Sequence, residues 1–137
     1  HVEDTGMRVL VENTAGGTNS VARYMDSIER FWEVIGHLNV GLCLDNCHTW
    51  AGGIPTIDAV KGFKKLVKKI DLIHFNDSKD GFESSRDRHE NLGKGKIPKE
   101  ELEYVIKNAK TDIIVETPNG PDAQKKDIAW IRRRLKK

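Results

Sequence analysis

Four apolar runs each deliver a metal-binding type of side chain. Glu12 closes the run in RVLVENT (8–14), and Asp45 closes the one in VGLCLDNCH (40–48). His74 lies in IDLIHFND (70–77), and Glu116 ends the run in DIIVETPN (112–119). Histidine with carboxylate is the usual donor set of hydrolytic zinc sites, and manganese or iron would also accept it. A second set stands apart from these strand ends. Residues 76–98, NDSKDGFESSRDRHENLGKGKIP, contain Asp87-Arg88-His89. In an extended segment residues two apart point the same way, so Asp87 and His89 can hold one ion between them. His48, on the loop expected after the second run, could close that site. Several cations on one rim can clamp a phosphodiester, neutralise its charge and activate water.

The elements that must carry these residues follow from periodicity. Short, near-continuous apolar runs rich in Val and Ile suit strands of a parallel sheet buried on both faces. Between them Val21, Met25, Ile28, Trp32 and Ile35 recur at helical spacing, as do Ile57, Val60, Phe63, Val67 and Ile70. Leu102, Val105, Ile106 and Ala109 make a third face, and Ile128, Ile131 and Leu135 a fourth. Pro55, Pro98 and Pro121 fall where the last three helices should begin, positions at which a missing N–H costs little. The sum is (βα)4, one α/β unit over residues 1–137. Right-handed crossovers place all four strand C-termini on one edge, which carries the site in such folds. Taken singly, each acid could equally be a helix N-cap. Four of four, one a histidine, argue for a shared site. The segment 76–98 reads as a long loop without secondary structure, of the kind that is usually functional or disordered.

Composition bounds the alternatives. With 37% hydrophobic and 32% charged residues the chain reads as globular and soluble, and a net charge of +2 permits a polyanionic partner without requiring one. No apolar stretch is long enough for a membrane span, and the amino end has no apolar signal segment, so an intracellular location is expected. Cys43 and Cys47 then read as reduced thiols, with zinc ligation by Cys-x3-Cys a weaker alternative. There is no P-loop, and Gly93-x-Gly95 alone is too short to cradle a nucleotide. Of the other histidines, His37 falls near the end of the first helix, where a cation is favourable, and His1 opens the sequence; neither is expected to be a ligand. The basic clusters KGFKKLVKKI and IRRRLKK fall at helix C-termini, away from the site edge, where they complement the helix dipole. Lys79, Arg86, Arg88, Lys94 and Lys96 are better placed to touch phosphate, Arg88 and Lys79 foremost.

Together VENTAG (11–16), LDNCH (44–48), HFNDSK (74–79), DRHENLGKG (87–95) and VET (115–117) resemble the endonuclease IV family of apurinic/apyrimidinic endonucleases. The resemblance runs from about residue 8 to the end. It implies half of a (β/α)8 TIM barrel with zinc at the strand C-termini, and cleavage of abasic DNA on the 5′ side of the lesion in base excision repair. By motif, Glu12 resembles the glutamate that bridges two zincs, with Asp45, His74 and Glu116 as the other protein ligands of the second. His48, Asp87 and His89 resemble the full set of the third. Two complete sites and a partial one follow, with water activated by the metals and Glu12 and Glu116 as metal-bound carboxylates. The family usually has threonine where Asn46 stands, a position expected to tolerate change. The resemblance also implies that this is the carboxy-terminal half, without the amino-terminal half that carries the first zinc site and the DNA-wedging loops. Two open sheet edges would then invite self-pairing or a partner. Two alternatives are a sugar isomerase or epimerase built on the four strand-end ligands, and a non-catalytic metal-binding half-barrel.

Overall fold

A computed structural model describes residues 6–136; His1 lies outside them. Four parallel strands form one sheet in the order β1-β2-β3-β6, with β1 at Val9–Glu12, β2 at Val40–Asp45, β3 at Leu72–His74 and β6 at Asp112–Ile114. This is the expected (βα)4 arrangement, with strands adjacent in space in the order in which they follow in sequence. The register aligns Glu12 with Cys43, Asp45 with His74 and His74 with Ile114. Glu12, Asp45 and His74 are therefore each the last residue of their strand. Glu116 is not: it lies two residues past the end of β6.

Strand alternation divides the sheet into two faces. Leu42, Leu44 and Ile73 face the helices and enter the core with Ile28, Val60, Phe63, Phe75, Leu102 and Val105. The other face carries Glu12, Cys43, Asp45 and His74. Every residue of β2 is buried, because it is flanked on both sides, whereas the edge strands keep partial exposure. Beside β6 an apolar groove of about 580 Å³ runs against α5 (Gly120–Leu135), lined by Ile113, Ile114, Val115, Ile128, Ile131 and Leu135. The side chains of Ile114, Ile128 and Leu135 are exposed in it. Ile128 and Leu135 thus point away from the core that the helical spacing assigned them to.

The helices depart from the sequence reading in three ways. The first, α1 (Met25–Ile35), starts four residues after Val21, which is exposed. An additional helix, α2 (Asn46–Gly52), follows β2 directly, so His48 is on a helix rather than a loop. Its seven residues are too few for the periodicity that reveals longer helices. Then α3 (Thr56–Val67) ends before Ile70, which is nonetheless fully buried, and α4 (Lys99–Asn108) follows Pro98 as expected. The segment 76–98 is also not structureless: β4 (Asp77–Ser78) pairs antiparallel with β5 (His89–Glu90), Ser78 opposite His89. Two-residue strands leave no sequence pattern. The basic residues Lys64 and Lys65 sit in the last turn of α3 and Arg132, Arg133 and Arg134 in that of α5, where the helix dipole favours them.

Candidate metal centre

The strand ends bring Glu12, Asp45, His74 and Glu116 together, with one ligand atom of each within 4.8 Å of the others. His74 is central: its Nδ1 lies 3.0 Å from Glu12 Oε1 and 3.1 Å from Glu116 Oε2. The second set converges as well, although Asp87 and His89 come from the β4–β5 segment and His48 from α2. His48 Nε2 is 3.1 Å from Asp87 Oδ2, and His89 Nε2 is 3.1 Å from Asp87 Oδ1. The two groups adjoin, since Glu12 Oε1 lies 3.4 Å from His48 Nδ1 and Asp45 Oδ2 lies 3.6 Å from His89 Nε2. His37 is exposed and outside both groups.

Backbone carbonyls orient the imidazoles. His48 Nδ1 lies 2.8 Å from the Asn13 carbonyl, which can only accept, so Nδ1 carries the hydrogen and, in the neutral ring, Nε2 presents a lone pair. His89 Nδ1 makes the same contact with the Glu116 carbonyl at 3.3 Å. Both Nε2 atoms are buried and, among the described residues, have no hydrogen-bond partner. A buried polar atom without a partner is destabilising. Two of them aimed at one carboxylate fit a cation, and histidine and carboxylate donors fit zinc.

Asp45 serves two purposes. It is the N-cap of α2, where its Oδ1 accepts the His48 N–H at 2.8 Å, and its Oδ2 accepts from Asn76 Nδ2 at 3.0 Å. The N-cap reading of a strand-end acid is thus true of Asp45 as well. Burial pushes its carboxyl above the ordinary range, against the pull of His48 and His89. His48 is shifted upward: burial opposes its charge, but Asp45, the Asn13 carbonyl, Asp87 and Glu12 outweigh it. The cysteines adjoin the site, Cys43 with its sulfur within 4.8 Å of ligand atoms of Glu12 and His74, and Cys47 likewise beside Asp45 and His89. Burial pushes both thiols up to about 12, aided by the neighbouring carboxylates.

Several residues hold the site in ways that the sequence does not announce. Asn13 grips the Asp45 backbone through both ends of its amide, at 3.0 and 2.8 Å. Asn46, expected to be tolerant, is buried and bonds both sides of the Asn76 peptide. Buried Asp77 accepts N–H bonds from Ser78, Gly93, Gly95 and Ile97, folding the Gly93-x-Gly95 segment around its carboxylate. Asp127 of α5 takes bonds from Asn91, Leu92 and Thr117. The one available signal was an amide or acid directly past an apolar run, as in ENT and FND. Arg88 is committed to Asp80 through a two-point ion pair, which holds the Asp80 carboxyl below its ordinary range. Lys79 is exposed, and its backbone N–H pairs with the Arg88 carbonyl.

A sheet of parallel strands with carboxylates and imidazoles at their C-terminal ends is the architecture of half an α/β barrel. Accordingly, the model of the xylose isomerase-like TIM barrel family matches residues 1–134, and the chain belongs to that family. Within it, the chain is 47% identical over 131 residues to the probable endonuclease 4 of Mycobacterium tuberculosis (strain ATCC 25177 / H37Ra), covering 96% of this chain and 51% of that protein. To the probable endonuclease 4 of Mycobacterium leprae (strain Br4923) it is 46% identical over 130 residues, covering 95% and 51%. The crystal structure of endonuclease IV from Thermus thermophilus superposes with a TM-score of 0.79 at 29% identity, over 94% of this chain and 50% of that one. These relatives bear out the resemblance read from the motifs. A D-tagatose 3-epimerase-like protein shares the fold, with a TM-score of 0.73 at 20% identity. The chain spans about half the length of the curated relatives it matches. Among the described residues no helix is long and apolar enough to cross a membrane.

Proposed function

We propose that these residues are the carboxy-terminal half of a zinc-dependent apurinic/apyrimidinic endonuclease, which cleaves the DNA backbone 5′ to an abasic sugar in base excision repair inside the cell. The observation that carries this reading is the convergence of the buried Nε2 atoms of His48 and His89, which make no hydrogen bond among the described residues, on the two oxygens of Asp87 at 3.1 Å each, beside the strand-end group. Glu12, Asp45, His74 and Glu116 would hold one ion and His48, Asp87 and His89 another, with Glu12 at the junction. Bound zinc supplies Lewis acidity toward a phosphodiester and lowers the pKa of water. The chain's own contribution is positional. The Asn13 and Glu116 carbonyls fix the imidazole tautomers, and burial of Asp45 keeps bulk water from its carboxylate. Asp87 and Glu116 remain about half exposed at the rim, on the side from which a DNA backbone would approach. Lys79, which is exposed, and Arg88, whose guanidinium Asp80 engages, are the cations of the 76–98 segment that would meet phosphate.

The open edges of β1 and β6, with the apolar groove beside β6, suit a complementary (βα)4 half that completes the barrel. A sugar isomerase would have no use for the His48–Asp87–His89 group. The test is a duplex with one abasic site, incubated with the zinc-loaded chain and the complementary half supplied in trans. Nicking 5′ to the lesion that leaves a 3′-hydroxyl, and that His89→Ala abolishes, is the expected result. Isomerisation of a sugar that survives His89→Ala, with no nicking, would overturn it.

A further inference from the structure

Sheet pairing runs out at the level of the metal ligands. Phe75 donates its N–H to the Ile114 carbonyl at 2.8 Å, and past it, among the described residues, no backbone pair joins β2, β3 and β6. Yet Glu116, beyond its strand, must meet Asp45 and His74. One fully buried amide spans that gap. Asn76 Nδ2 donates to Asp45 Oδ2 at 3.0 Å, and Asn76 Oδ1 accepts the Glu116 N–H at 2.9 Å. An N–H can only donate and a carboxylate accepts, so both ends of the amide are assigned without ambiguity. The Asn76 peptide is itself clamped: Asn46 Oδ1 accepts its N–H at 2.8 Å, and Asn46 Nδ2 donates to its carbonyl at 2.6 Å. Asn76 therefore has little freedom to turn.

We infer that Asn76 is a positioning residue for the strand-end metal group, turning the Asp45 carboxylate and holding the Glu116 backbone at one height. This deepens the metal reading above and rests on it. Asp45 has one oxygen on the His48 N–H and the other on Asn76, which fixes the rotation of the carboxylate about its last bond. Each oxygen still has a lone pair for a cation. For Glu116, the bond from Asn76 ties the backbone of a residue past the end of β6 to the end of β3. A residue of this kind sets metal affinity without touching the metal.

The test uses Asn76→Ala and Asn76→Asp; the aspartate keeps the size and the acceptor but cannot donate to Asp45. Asn46→Ala, which frees the Asn76 peptide while keeping its amide, serves as the milder variant. Thr111→Val is the control for a purely structural loss, because it removes a hydrogen bond to the Asp71 carbonyl at the other end of β6. Each folded protein is titrated with zinc against a competing chelator and loaded with Co(II), whose visible spectrum reports ligand geometry. The Asn76 variants should lose about 10- to 100-fold in affinity for the strand-end ion and show shifted Co(II) bands, as expected when a residue behind a ligand is removed. Asn46→Ala should show a smaller loss in the same direction, and Thr111→Val only a lower melting temperature. Asn76 and Asn46 variants with unaltered affinity and Co(II) spectrum would overturn the inference while leaving the metal reading intact. Failure of the unaltered protein to bind either metal would end both.

Discussion

Stripping divalent cations should lower the melting temperature by roughly 14 °C for each site emptied, and His48→Ala or His89→Ala should halve that response. The direction follows from the charges: Glu12, Asp45, Glu116 and Asp87 crowd against three imidazoles, and two buried Nε2 atoms make no hydrogen bond among the described residues. A cation bound only by the folded state stabilises it by about 4 kcal/mol when present at about a thousandfold above its dissociation constant. At about 2.1 cal/mol/K per residue, the 137 residues unfold with an entropy of about 0.29 kcal/mol/K, so about 4 kcal/mol becomes about 14 °C. Either histidine substitution removes a donor from the His48–Asp87–His89 group and leaves the strand-end group intact, hence the halving. Calorimetric melts with excess zinc and with chelator, on the unaltered protein and both variants, read this directly. A melting temperature that complete chelation does not move would refute the reasoning, as would a response that both substitutions leave untouched.

Three other outcomes follow from single contacts. A Cβ at Gly95 would overlap Asp77 Oδ1 and the Ser78 carbonyl, so Gly95→Ala should cost about 1–3 kcal/mol in urea unfolding, in the range of an overpacked interior. Phe75 is fully buried between the sheet and Trp130, and Phe75→Ala should cost about 3–5 kcal/mol by the same assay. The Asp80 carboxyl should titrate below its ordinary 3.8 by carboxyl NMR and return toward it in Arg88→Ala. Because its folded value is the lower one, that ion pair contributes above about pH 4 and is lost as the pH falls through the depressed value.

What the amino acids determined alone is the frame and the donor types. Apolar runs ending in Glu12, Asp45 and His74 announce buried parallel strands, because a strand flanked on both faces tolerates a charge only where it leaves the sheet. Helical spacing placed α3 and α4 and the proline starts, since those helices are long enough to repeat an apolar face. Short elements were silent: α2 has seven residues, and β4 and β5 two each, too few for a period. Ile128 and Leu135 show the converse limit, a correct period whose apolar face meets a groove rather than the core. Sequence reasoning already offered His48 as a partner for Asp87 and His89, and the tertiary structure decided how these groups meet. Asp87 and His48 are far apart in sequence, and only the packing of the β4–β5 segment over α2 brings them to 3.1 Å. It also decided the roles of Asn13, Asn46 and Asn76. An amide is unremarkable in a sequence and becomes structural only when burial leaves it no water to bond.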